Sequence, residues 1–396
     1  MLITPSVRGP FVRFHEHDHY ARIVLLCLCW YAISSVASQV TKQILTEFPF
    51  PLFLGEFQFL YISMLAVLTC WLARKWRGFF NLFPSGTFPD YSLGVQSRVI
   101  TPPSRHIIQV VLPLGLFQFV GKYFGHKATS LVPISTVSSI KTLSPIFILV
   151  AQQTLHIDHR KLNVISYLSL SCILSGVWLI VSDDNKRVVK EVIGESDIQD
   201  SSATATRLSR SSSGVCCAIV SMLVFVAQNM YGKQVFTNTP THVSTIKQSF
   251  KESSPLPLYS EKKFGSLKSR KYDKLTLMIY ISAVGFVLSF GWFLTLELPT
   301  VWRLFYHNDS ETVSFPVRLL LLNGLFHFIQ TMIAYYLLGE ISTLSYSIAN
   351  LMKRISVIFV SWLISCREIT PTQVTGLSLN AIGLFLYERN TKTQKK

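Results

Sequence analysis

Ten stretches of predominantly apolar residues recur along this chain, at roughly 22–44, 52–73, 106–124, 130–153, 162–182, 214–236, 275–296, 316–338, 341–365 and 371–387. A hydrocarbon layer of ~30 Å is crossed by about 20 residues of helix rising ~1.5 Å each, so each stretch reads as a membrane span. The composition agrees, with 49% hydrophobic residues, only 15% charged and a mean hydropathy of +0.38. The expected fold class is an all-α polytopic membrane protein with ten transmembrane helices.

The net charge of +16 could suggest nucleic acid, but the lysines and arginines concentrate in the connectors, where a basic bias is the orientation signal of a polytopic chain. Ten spans put both termini on one side, and taking that side as cytosolic gives it about twice the Lys and Arg of the other. The resulting division is a cytosolic N-tail (1–21), a first five-helix repeat (22–182), a serine-rich and flexible linker (183–213), a second repeat (214–387) and a cytosolic C-tail (388–396). A basic cytosolic loop (237–274) interrupts the second repeat, carrying Lys262-Lys263 and Lys268-Ser-Arg-Lys271; its partner is expected to be anionic headgroups of the bilayer rather than nucleic acid. The sequon Asn308-Asp309-Ser310 falls on the non-cytosolic side and makes Asn308 a glycosylation candidate. The seven cysteines lie in or beside the apolar runs without metal-ligand spacing, so no metal, cofactor or disulfide framework is expected. The polar, His-rich N-terminus carries no cleavable-signal or transit-peptide pattern.

The ninth stretch contains an energetic anomaly. Lys353 and Arg354 stand side by side about twelve residues from either end, roughly 18 Å from each boundary at helical rise and too deep to snorkel. A charge at the bilayer centre costs at least ~2.5–3.5 kcal/mol, so it implies an anionic partner or a watery cavity. Sliding the sequence along itself finds a counterpart. At an offset of 212, Ser130–Phe147 matches Ser342–Phe359, pairing Ser135 with Ser347, Lys141 with Lys353 and Ser144 with Ser356. The fourth and ninth spans are thus expected to be equivalents in two halves of five helices, which an odd count inserts in opposite orientations; such inverted repeats place a transport site at mid-membrane.

The only acids in the apolar runs are Glu56 and Glu340, both near span edges, too few to neutralise three central cations. Ser138 and Ser144 flank Lys141 at three-residue spacing, Asn350 and Ser356 flank Lys353 likewise, and Tyr346 returns to the same face two turns earlier. Fixed cations with hydroxyl and amide donors suit a phosphate or diphosphate, gripped bidentately by Arg354 and by the lysines as point charges. Pro145 is expected to loosen the fourth helix beside this stripe. Gln58, Gln118, Lys122, Gln330 and Tyr346 are candidate contacts for the rest of the solute, although helix–helix hydrogen bonding is the commoner use of such residues.

At these residues the chain resembles the triose-phosphate translocator family of the drug/metabolite transporter superfamily. The resemblance runs through Leu322-Asn-Gly-Leu-Phe-His-Phe328, Ser347-Ile-Ala-Asn-Leu-Met-Lys-Arg354, Gly383-Leu-Phe-Leu-Tyr387 and Ser139-Ile-Lys-Thr-Leu-Ser-Pro145, with Trp30-Tyr31 in the first span and Gln228-Asn229 in the sixth. It implies ten helices in two inverted halves and exchange of phosphorylated metabolites, with the substrate phosphate held at the positions of Lys141, Lys353 and Arg354. Lys122 and Gln330 stand where the plastid members carry a histidine and a tyrosine, so the resemblance points to the endomembrane, fungal-type branch, where sugar-phosphate and nucleotide-sugar specificities are mixed.

The expected function is therefore secondary transport, by antiport, of a phosphorylated small-molecule substrate against a counter-substrate across the endoplasmic reticulum or Golgi membrane. The alternative is a transporter-like factor that supports ER-to-Golgi trafficking without transport of its own. Enzyme activity is not expected, since the spans offer no His/Asp/Glu cluster and His126, His156 and His159 fall in short connectors. No sequence feature assigns an oligomeric state.

Overall fold

The computed structural model describes residues 10–81, 83, 86–89, 91, 99–154, 164–195, 201–237, 273–306, 315–340, 343–364 and 369–393. These form thirteen helices and no strand: α1 (Pro10–Glu47), α2 (Pro51–Lys75), α3 (Arg77–Asn81), α4 (Arg105–Leu131), α5 (Ile134–Thr142), α6 (Ser144–Thr154), α7 (Val164–Glu195), α8 (Ser201–Thr237), α9 (Lys274–Leu296), α10 (Leu298–Tyr306), α11 (Val317–Glu340), α12 (Thr343–Ile364) and α13 (Pro371–Thr393). Among the described residues, 8 segments are long and apolar enough to cross a membrane, and together they cover α1, α2, α4, α5 with α6, α7, α8, α9 and α11. The chain is a multi-pass membrane protein. Helices α12 and α13 occupy the ninth and tenth stretches but are not among the 8; α13 mixes Thr372, Gln373, Thr375, Ser378 and Asn380 into its apolar residues.

Several boundaries differ from the sequence reading. The serine-rich stretch 183–213 is helical over 183–195 and again from 201, because α7 and α8 simply continue beyond their apolar parts. His126 lies inside α4, not in a connector: the third helix runs on to Leu131, and Val132 and Pro133 alone separate it from α5. The fourth span is two helices. Pro145 offers no N–H to the preceding turn, α5 ends at Thr142, and α6 restarts at Ser144. The residues 238–272, and with them most of the basic loop, lie outside the described residues, as do Asn308, His156, His159 and Cys366.

Helix ends are satisfied both locally and across the bundle. Ser104 Oγ accepts the Ile107 amide at the start of α4 (3.2 Å), and an Asp273 carboxylate oxygen accepts the Thr276 amide at the start of α9 (2.9 Å). Helix α2 has no side-chain cap of its own, and Glu297, at the end of α9, accepts the Leu52 and Phe53 amides at 2.9 and 2.8 Å. At the opposite pole of a helix dipole, Lys42 donates to the carbonyls of Thr129 and Val132 where α4 ends.

The bundle follows the packing logic of lipid. Large apolar side chains such as Leu60, Leu168, Trp178, Val287 and Phe385 are exposed on its outside, while polar side chains turn inward. Inside, Gln58 donates to Asn323, which donates to Thr41, joining α2, α11 and α1; Gln228 donates to Gln118, joining α8 and α4. These two glutamines thus serve helix–helix contact. Helices α7 and α13 approach through Gly176 and Gly376, where a Cβ on Gly176 would lie 2.5 Å from the Gly376 carbonyl oxygen. Only glycine leaves room for backbones at that distance.

Candidate functional site

The break between α5 and α6 places a charged pair of helices face to face. Lys141 lies in the last turn of α5, which is closed by the Leu143 amide bonding back to the Ile140 and Lys141 carbonyls. Lys353 and Arg354 project from the middle of α12, which packs on α5 and α1. Arg354 Nη1 donates to Ser144 Oγ at 2.9 Å, so the arginine reaches across to the point where the proline interrupts the helix. The three cations are in electrostatic contact with one another, Arg354 and Lys141 both acting on Lys353.

Aromatic faces hold the two ammonium groups. Lys353 Nζ sits 4.4 Å from the centroid of the Trp30 ring on α1, and Trp30 stacks on Tyr346 with centroids 5.8 Å apart. Lys141 Nζ lies 5.7 Å from the Phe225 ring centroid on α8, and Gly125 on α4 leaves space beside it. Such cation–π contacts are worth about 0.5–2 kcal/mol, less than a charge-assisted hydrogen bond to an anion. No acidic side chain among the described residues pairs with Lys141, Lys353 or Arg354. The apolar shell includes Trp30, Leu337 and Ala349, with Tyr346 packed against them. The indole N–H of Trp30 is buried without a hydrogen-bond acceptor among the described residues, as is the hydroxyl of Ser139 on α5.

Of the expected site residues, the structure gathers Lys141, Lys353, Arg354 and Tyr346. Ser138 is buried on α5 one turn before Lys141, and Asn350 is half-buried on α12 one turn before Lys353. Gln330 is half-buried on α11, while Lys122 lies apart from the three cations. Lys122 occupies a neighbouring space on α4, its Nζ 4.3 Å from the Phe59 centroid, lined also by Gly55, Tyr123 and Ser289. His126 and His327 sit within electrostatic reach of Lys122, Lys141 and each other, extending the basic lining from one space to the other. Sequence reasoning missed Trp30, Phe225 and His327 as site residues. Trp30 and His327 were visible in the family motifs, whereas nothing in the linear sequence pairs Phe225 with Lys141.

Among the described residues, the three cations thus have aromatic rings and not acids beside them. They offer no nucleophile–base pair and, among the described residues, no cluster of potential metal ligands. A sequence profile of the Triose-phosphate Transporter family matches residues 21–184 and 241–388. An uncharacterized transporter of Saccharomyces cerevisiae is 54% identical over 398 residues, covering 95% of this chain and 96% of that protein. A second uncharacterized transporter of the same yeast, SLY41, is 32% identical over 93% of this chain and 80% of its own length. The chloroplastic xylulose 5-phosphate/phosphate translocator of Arabidopsis thaliana is 26% identical over 93% of this chain and 70% of that protein. The chain belongs to the Triose-phosphate Transporter family, as a multi-pass membrane transporter and not an enzyme.

Proposed function

We propose that this chain exchanges a phosphorylated solute, such as a sugar phosphate or nucleotide sugar, against a counter-solute across an endomembrane of the endoplasmic reticulum or Golgi. The observation that carries this reading is the convergence of Lys141, Lys353 and Arg354 from α5 and α12 with no acid among the described residues to balance them. Lys141 and Lys353 bind phosphate oxygens as point charges, Arg354 binds bidentately, and Tyr346, Asn350 and Ser138 supply neutral donors. Lys122 and Gln330 face the remainder of the solute. The plant phosphate translocators among the relatives support a phosphate-bearing substrate.

The architecture proposed for this cycle has ten spans, α12 and α13 being the last two. Its halves, 22–182 and 214–387, are inverted repeats with both termini cytosolic. Bound phosphate neutralises the cations that otherwise repel one another, so closure of the halves over the site is favoured only when it is loaded. That electrostatic condition favours exchange over unloaded return.

The test is uptake of labelled phosphate, phosphorylated sugars and nucleotide sugars into liposomes holding purified protein and unlabelled phosphate. Each cation contributes a charge-assisted contact of about 1.5–3 kcal/mol, so Lys141→Ala and Lys353→Ala are each expected to lower transport at subsaturating solute by about 10- to 100-fold. Wild-type rates in both variants, or no exchange of any phosphorylated solute by the wild type, would overturn the reading.

A further inference from the structure

Glu56 on α2 is a buried ionisable group that the phosphate site does not use. It is 6% exposed, and both carboxyl oxygens are sealed from solvent without a hydrogen-bond donor among the described residues. Its carboxyl faces Ser289 on α9. That hydroxyl gives its proton to the Gly285 carbonyl at 2.8 Å, so what it turns toward Glu56 is a lone pair. A carboxylate facing a lone pair gains nothing from it, whereas the neutral acid can donate to it.

A cation stands on the neighbouring helix α4, which packs on α2. Gly55, the residue before Glu56, and Phe59, about one turn after it, line the same space as Lys122 and Ser289. Lys122 rests on the Phe59 ring with no acid beside it among the described residues. An acid without a cation on α2 and a cation without an acid on α4 thus border one interface. The other groups facing Glu56 from its neighbours do not replace either. On α4, His126 points its Nδ1 at the Pro51 carbonyl, 3.4 Å away; on α9, Glu297 is committed to the Leu52 and Phe53 amides. On α11, Asn323 is taken by Gln58 and Thr41, and His327 lies among the basic groups; α3 packs at the far end of α2.

We propose that Glu56 is a proton-binding site of the transport cycle, protonated in the state seen here and ion-paired with Lys122 in another. The proton enters from water onto a carboxyl oxygen of Glu56, crosses with the loaded carrier, and leaves to the opposite side. Its departure creates the carboxylate that Lys122 meets as α2 and α4 shift, which stabilises the empty carrier during its return. This rests on the transport reading above and adds to it: the phosphate clamp supports exchange, and Glu56 permits net, proton-coupled movement of the same solute.

The test uses wild type and Glu56→Gln in liposomes, a glutamine being a permanent mimic of the protonated acid. With phosphate on both sides at equal pH, both proteins are expected to exchange label. With no internal phosphate and an acid exterior, the wild type is expected to accumulate phosphate by up to about tenfold per pH unit for one proton per solute, and Glu56→Gln is expected to lose that accumulation. Equal gradient-driven accumulation by the variant, or none by a wild type that exchanges phosphate, overturns the proposal. If neither protein exchanges phosphate, the transport reading has failed, and infrared difference spectroscopy decides the proton site independently. A protonated-carboxyl C=O band that titrates with pH and vanishes in Glu56→Gln supports it, and the absence of such a band overturns it.

Discussion

Replacing Asp184 by alanine should cut the tie that holds the start of α5, and with it the positioning of Lys141. Asp184 is 7% exposed and gathers three donors from two other helices. Its Oδ2 accepts from Ser135 Oγ and Thr136 Oγ1, both at 2.7 Å, and its Oδ1 accepts from Gln373 Nε2 at 3.0 Å. Hydrogen bonds to a charged acceptor contribute about 1.5–3 kcal/mol each, so three give a gross term of about 4.5–9 kcal/mol. Two offsets reduce it: alanine removes the desolvation cost of the buried charge, and the freed hydroxyls can turn to nearby carbonyls. The expected net loss is about 2–4 kcal/mol, or roughly 30- to 1000-fold in the folded-to-unfolded ratio. Denaturant titration in mixed micelles measures it. Asp184→Asn keeps an acceptor but loses the charge, so it should fall between wild type and alanine. An alanine variant within about 0.5 kcal/mol of wild type would refute the argument that this carboxylate anchors α5.

The same logic gives two further expectations. Ser144→Ala removes the acceptor that holds Arg354 at the helix break; phosphate affinity in the liposome assay should fall about 5- to 30-fold with stability little changed, and an unchanged affinity would mean that Ser144 does not orient the arginine. Burial holds the Glu297 carboxyl above its ordinary value of 4.5, against the opposing pull of the Leu52 and Phe53 amides. The folded chain therefore binds that proton more tightly than the unfolded one. This contribution to stability is complete below pH 4.5 and is lost as pH rises through the folded value. A melting-temperature series across that range should show the decline in wild type and a flatter profile in Glu297→Gln, and parallel profiles would remove the assignment.

How far the sequence discloses this molecule depends on whether a residue's role is set by its own helix or by another one. The spans were legible because lipid imposes one length and one polarity on whatever crosses it, and Lys141, Lys353 and Arg354 stood out because a mid-span cation has no local remedy. Pro145 announced the break between α5 and α6 for an equally local reason. The ends of the helices were less visible. Polar residues such as Lys127, Asp183 and Asp184 look like connector residues in a hydropathy reading, yet α4 and α7 run through them because Lys42 and Gln373 satisfy groups there from other helices. Lys122 read as a neighbour of the site because it lies on the right helix, but its ammonium is drawn to Phe59 in a separate space. A one-dimensional pattern cannot encode which ring a flexible lysine finds.

The aromatic contacts also bear on how an unloaded site can exist at all. Three cations in a low-dielectric interior repel one another and have lost water, yet no acid among the described residues compensates them. A resident carboxylate would do so, but it would compete with the phosphate for every turnover. Trp30 and Phe225 instead offer faces worth about 0.5–2 kcal/mol, enough to hold Lys353 and Lys141 in place and weak enough to yield to a phosphate oxygen. On this argument, introducing an acid beside the site would stabilise the protein while weakening transport. The missing counter-charge is thus a requirement of the cycle proposed here, because only the solute can complete the site.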